Sequence, residues 1–230
     1  MMLKPRTEVK NKLLSILLCC FTVLIMGNTI ASETKDSMPD RLLAAAAQNQ
    51  TEIVQQLVAA GVDIETRDTQ GRTALLLATH HNAVEAARFL IESGADVNAM
   101  DNISDSPYLY AGAEGRLEIL RMTLEHGADL ASVNRYGGTA LIPAAHHGHV
   151  ETVRELLQAA TDIDHVNNLG WTALLEAVIL GDGGPVYIEI VKLLLEAGAD
   201  AEIADDDGVT PLEHAKQRGY AEITELLSSQ

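Results

Sequence analysis

The sequence predicts an all-α solenoid, a stack of helix-turn-helix units joined by β-turn or hairpin tips. Three observations predict it. Asp68, Asp101, Asn134 and Asn167 recur at steps of 33 residues, and Asp205 follows after 38. A glycine stands three residues beyond four of these, at Gly71, Gly137, Gly170 and Gly208, with Ser104 in the remaining place. A Gly-Ala-Asp type of turn then closes the units, at Gly61-Val62-Asp63, Gly94-Ala95-Asp96, Gly127-Ala128-Asp129 and Gly198-Ala199-Asp200. A fixed period of this length marks units that cannot bury their own apolar face and therefore stack. Composition agrees: 47% of residues are hydrophobic but only 3% aromatic, a mix suited to thin, closely packed helices.

Taking the chain in order, Lys4, Arg6, Lys10 and Lys12 precede an uncharged run, Leu13 to Met26. Thr29-Ile30-Ala31 then places small residues where a signal peptidase reads. Residues 1–31 therefore read as a secretory signal peptide, with cleavage expected after Ala31. A spanning helix needs ~20 apolar residues, so no stable membrane anchor is expected after cleavage. Leu18 precedes Cys19 where a lipidated cysteine wants a small neighbour. Both cysteines, Cys19 and Cys20, leave with the leader, so no disulfide staples the rest. The expected location is the periplasm or the exterior. Residues 32–37 form a short linker, and residues 38–230 the repeat domain. Its units are an N-terminal cap at 38–67, then 68–100, 101–133, 134–166 and 167–204, and a C-terminal cap at 205–230.

Within a unit, Thr73, Ser106, Thr139, Thr172 and Thr210 are placed to cap the first helix. Pro107 and Pro211 suit a first helical turn. Ala78, Ala111, Ala144, Ala177 and Ala215 keep that helix thin where it meets its neighbours. Val150, Val153, Leu156 and Leu157 give a second helix its apolar stripe. Ala160 stands where other units carry a left-handed glycine, which predicts local strain. Pro143 falls about one turn into a first helix and predicts a distorted first turn. The fifth unit gains Gly183-Gly184-Pro185-Val186-Tyr187, expected as a loop between its helices whose removal spares the fold.

This pattern resembles the ankyrin repeat, whose 33-residue unit carries a T-P-L-H-x-A signature. The match runs from Thr73-Ala74-Leu75 through Ser106-Pro107-Tyr108, Thr139-Ala140-Leu141 and Thr172-Ala173-Leu174 to Thr210-Pro211-Leu212. The signature histidine is replaced by Leu76, Leu109, Ile142, Leu175 and Glu213. The resemblance implies docking of a partner on a concave face built from the tips and the late first-helix positions. Carried onto this sequence, the candidate partner-binding residues are Arg72, His80, His81, Tyr110, Glu114, Tyr136, His146, His147, Trp171, Ile179, Leu180 and Tyr187. Trp171 either anchors a partner or packs between tips. Glu176 and Tyr110 share one helical position and either meet a ligand or are solvated.

Charge and motifs narrow the function. The chain carries −17, and without residues 1–31 it holds 12 Lys+Arg against 32 Asp+Glu, or −20. Such a field repels a phosphate backbone, so nucleic acid is excluded as a partner. No catalytic motif, dinucleotide loop or zinc-protease signature is present, and no enzymatic activity or cofactor is expected. The pairs His80/His81 and His146/His147 lie two units apart, ~20 Å at helix spacings of ~8–10 Å, too far to share one metal ion. The expected function is a monomeric, exported protein-interaction module. By analogy with exported ankyrin proteins, its partner would be an envelope enzyme. Two alternatives stay open: a small-ligand or metal-binding accessory using His146, His147, Glu114 and Trp171, and a secreted effector.

Overall fold

The computed structural model describes residues 37–229; the leader and nearly all of the linker lie outside the described residues. Twelve helices are described, in consecutive pairs. They are α1 (Met38–Ala47) and α2 (Thr51–Ala59), α3 (Ala74–His80) and α4 (Val84–Glu92), and α5 (Pro107–Ala113) and α6 (Leu117–Glu125). The series continues with α7 (Leu141–His146) and α8 (Val150–Gln158), α9 (Ala173–Leu180) and α10 (Pro185–Glu196), and α11 (Pro211–Arg218) and α12 (Ala221–Ser228). Extended pairing among the described residues is confined to one isolated bridge, Arg67 with Thr73.

The 33-residue recurrence of Asp and Asn has a mechanical cause. In each tip the side-chain Oδ1 accepts two backbone N–H groups, two and four residues on. Asp68 takes those of Gln70 and Arg72, and Asp101 those of Ile103 and Asp105. Asn134 holds Tyr136 and Gly138, Asn167 holds Leu169 and Trp171, and Asp205 holds Asp207 and Val209. This is the turn that a short acceptor side chain favours. Tips also bond to one another: Asn102 N–H donates to Gln70 at 3.0 Å and Asn168 N–H to Tyr136 at 2.9 Å.

The hydroxyl caps then start the first helices. Thr73, Ser106, Thr172 and Thr210 each accept the N–H three residues on, at 3.1–3.3 Å. First helices pack on first helices and second on second along the stack. The alanines at 78, 111, 144, 177 and 215 are all fully buried where the first helices meet. Leu90, Leu120, Leu156 and Leu194 form the matching column on the second helices. Burying each such leucine contributes ~1.5–3 kcal/mol. Tyr108 takes a core leucine's place and is wholly buried. Burial pushes its phenol up to about 12.

Two departures follow the sequence reading. Ala160 holds φ +61°, in the region its counterparts Gly61, Gly94, Gly127 and Gly198 occupy. At Pro143 there is no N–H to donate to Thr139 O, the bond that Leu77, Tyr110 and Glu176 make in their units. Ile142 N–H turns to Thr139 O instead, at 3.2 Å. The Thr139 hydroxyl is thereby left buried without a partner.

The expected loop at 183–187 is corrected. Gly184 ends the turn and Pro185 opens α10, so the second helix is simply extended to 12 residues. Tyr187 is no free lip. Its hydroxyl donates to His146 O at 2.8 Å, and its ring sits so close to Gly181 that a Cβ there would fall 2.5 Å from it. Removing 183–187 would cut this tie between units.

Ala160→Gly is expected to raise stability by about 1 kcal/mol, read as a higher midpoint in urea unfolding. Thr73→Val should cost ~1 kcal/mol through its lost cap, whereas Thr139→Val should be neutral or stabilising. Equal losses in the two valine variants would contradict the orphaned hydroxyl.

Candidate binding groove

The tips present a row of apolar side chains. Two residues past each tip acceptor stand Gln70, Ile103, Tyr136, Leu169 and Asp207. The middle three are exposed by 51%, 55% and 51%. Beside them opens a cavity of about 420 Å³ across three units. One wall comes from Asp105, Tyr110 and Glu114; the floor from Gly138, Pro143, His146 and His147; the far wall from Asn167, Leu169 and Glu176. It opens at Gly138 because the matching tip positions elsewhere carry Arg72, Asp105, Trp171 and Val209.

The walls are held by contacts between neighbouring units. A late first-helix residue reaches forward to the residue 30 positions on. His80 stacks on Tyr110, ring centroids 3.8 Å apart and 12° from parallel. His146 Nδ1 lies 3.3 Å from Glu176 Oε2. The other Glu176 oxygen accepts from Asn167 Nδ2 at 3.0 Å. Arg135 reaches back to Asp105 at 3.3 Å, its guanidinium 4.9 Å over the Tyr136 ring. His147 Nδ1 meets Ala113 O at 2.7 Å.

Burial sets the ionisation. It pushes the Glu176 carboxyl up, against the pulls of Asn167 and His147, and raises Asp105 against the pull of Arg135. His146 is held below the usual imidazole value, first by burial and then by His147. His80 and His149 are lowered by burial as well. The His146–Glu176 contact is thus drawn toward its neutral form.

Of the residues singled out in the sequence, Tyr110, Glu114, Tyr136, His146 and His147 line the cavity. The others stand elsewhere. Arg72 is bound to Asp68 in its own tip at 2.7 Å. His80 braces Tyr110 from behind, and His81 is exposed away from the cavity. Trp171 is half-buried and lies outside the lining. Ile179 was expected at the surface and is buried at 9% exposure, while Leu180 is 41% exposed. One residue turns ~100° about a helix, so neighbours such as Ile179 and Leu180 differ in burial. Glu176 is not solvated: it is 5% exposed. Asp105, Arg135, Leu169 and Glu176 complete the groove beyond the residues singled out, and the 30-residue spacing is the signal that finds Glu176 from His146. Among the described residues no set of three His, Asp or Glu side chains is arranged to hold a metal ion.

Paired short helices stacked behind exposed turn tips define a repeat protein of the interaction type. The chain belongs to the ankyrin repeat family: the model for ankyrin repeats (3 copies) matches residues 17–101, 42–134, 108–205 and 161–230. Its repeats are protein–protein interaction modules, of a kind generally without enzymatic activity. It is similar to the solved ankyrin repeat domain from Acinetobacter baumannii AYE, at 61% identity and a TM-score of 0.80 over 82% of this chain and 96% of that one. The ankyrin repeat protein EF0377 is 49% identical with a TM-score of 0.79, over the same 82% and 96%. The ankyrin repeat domain of Bcl-3, of the IkappaB family, gives 28% and 0.74 over 82% of this chain and 85% of that one. Among curated proteins, the ankyrin repeat protein YahD of Escherichia coli K12 is 52% identical over 52 residues, 23% of this chain. That stretch spans 26% of YahD's length.

His80, His146 and His149 should titrate below 6.5, and Glu176 above 4.5, when followed by NMR. The neutral imidazoles then stabilise the fold fully above pH 6.5, and that contribution fades as pH falls through their lowered values. Glu176 works oppositely: its contribution is full below 4.5 and is lost as pH rises through its raised value. Ordinary midpoints for His146 and Glu176 would contradict the burial of Glu176 and the partial burial of His146.

Proposed function

We propose that this chain is an exported, monomeric, non-enzymatic module that docks a partner protein on its tip and first-helix face, centred on residues 101–180. The observation that carries this reading is the row Ile103, Tyr136 and Leu169, exposed and apolar beside the cavity. Aromatic and aliphatic groups held at the surface next to a cavity are the usual anchors of an interface. Polar residues, Gln70 and Asp207, bound the row at both ends, which limits its extent to three units. The tips are already locked by their Asp and Asn acceptors, so little ordering cost is added on binding.

The net charge of −17 favours a basic partner surface and makes association salt-sensitive. The export reading is supported by the basic segment, uncharged run and Thr29-Ile30-Ala31. Together with the ankyrin resemblance, it directs the search for a partner to enzymes of the cell envelope.

Affinity capture from an envelope extract tests this, comparing wild type with a Tyr136→Ala/Leu169→Ser variant. Wild type should retain one partner at low salt and release it as salt rises. Each substitution should weaken binding by roughly 2 kcal/mol, about 30-fold. The recovered chain should begin at Ser32 and scatter light as a monomer. Capture that survives both substitutions would refute the docking face.

A further inference from the structure

We propose that the cavity between the Tyr110 and Glu176 walls receives one arginine side chain of the partner, with Glu176 as the carboxylate that reads it. This rests on the docking reading above and gives it a chemistry.

The cavity's shape comes first. At about 420 Å³ it has room for a long side chain. Gly138 keeps it open, and a Cβ there would meet only Ile142, at 3.5 Å, so the space is not needed for packing. The charge of the lining comes second. Asp105, Glu114 and Glu176 face a single cation, Arg135, which Asp105 already engages. Glu176 is 5% exposed, and the contacts with Asn167 and His146 use one acceptor position on each oxygen. A carboxylate offers about four, which leaves a position on each oxygen for a two-pronged guanidinium. Burial of Glu176 disfavours its charged form, and an arriving cation offsets that cost.

The rings come third. His80 holds Tyr110 flat against the stack, and Tyr136 already carries the Arg135 guanidinium on its face. Tyrosine faces attract cations. A guanidinium stacks and sheds water more readily than an ammonium, which selects arginine over lysine.

The test uses acetylated nine-residue peptides with a central arginine, lysine or citrulline between leucines and alanines, titrated onto the intact chain and followed by NMR. The arginine peptide should shift the Gly138 and Glu176 amides and bind at least about tenfold tighter than the neutral citrulline peptide. Glu176→Gln should erase that difference. Gly138→Val, which fills the cavity with a residue found at the matching position 209, should abolish arginine binding without lowering the melting temperature. Equal affinity for arginine and citrulline, a preference that persists in Glu176→Gln, unchanged binding in Gly138→Val, or no binding of the arginine peptide would each overturn the inference. The docking reading fails separately, when the Tyr136→Ala/Leu169→Ser variant still captures its partner.

Discussion

Everything in this molecule depends on how closely one unit can approach the next. The alanines at 78, 111, 144, 177 and 215 keep that distance short: each is fully buried and carries only a methyl group between adjacent first helices. Close approach lets the leucine columns of the second helices meet and brings the tips within hydrogen-bonding reach of one another. The core is therefore not inside any unit. It is shared across boundaries, and stability accrues by neighbour interfaces rather than around one centre.

The groove arises from the same geometry. A side chain late in one first helix is aimed at the following unit, where it meets the residue 30 positions on. Two of these contacts are aromatic or polar, His80 with Tyr110 and His146 with Glu176, and Gly138 leaves the space beside them uncovered. Pro143 contributes as well: it occupies the position between Tyr110 and Glu176 with a ring that makes no helix bond, at the expense of the Thr139 cap. The unit that lacks this cap bond forms the floor of the cavity, in keeping with the association of imperfect local structure with functional sites.

Much of the fold was legible in the sequence because its determinants are local. An Asp or Asn that captures two nearby amides, a hydroxyl that caps three residues on, and a glycine at a left-handed turn each act within five residues, so their spacing survives in the one-dimensional pattern. Ala160 and Pro143 were legible as faults for the same reason. The site was less so. Ile179 and Leu180 look alike in sequence, yet one is buried and the other exposed. Tyr187 reads as a loop residue until Gly184 and Pro185 are seen to open the helix. Glu176 looks like a surface acid, and only its partners Asn167 and His146 reveal it as buried. The contacts of Glu176 and Tyr187 with His146 cross a unit boundary, which no single unit's sequence displays.

The forward reach of 30 residues carries a consequence for how such a protein can change. Repeat arrays grow and shrink by gain or loss of whole units, and the stack tolerates this because every interface is alike. The groove does not share that tolerance. Inserting one 33-residue unit after residue 166 would preserve the solenoid, its caps and its alanine spacing. It would also carry His146 and Glu176 onto non-adjacent units and divide the cavity between them. On the proposed docking reading, binding specificity in this chain is encoded in the order of its units, and the array is fixed in length across 101–180 even where its architecture is free to vary elsewhere.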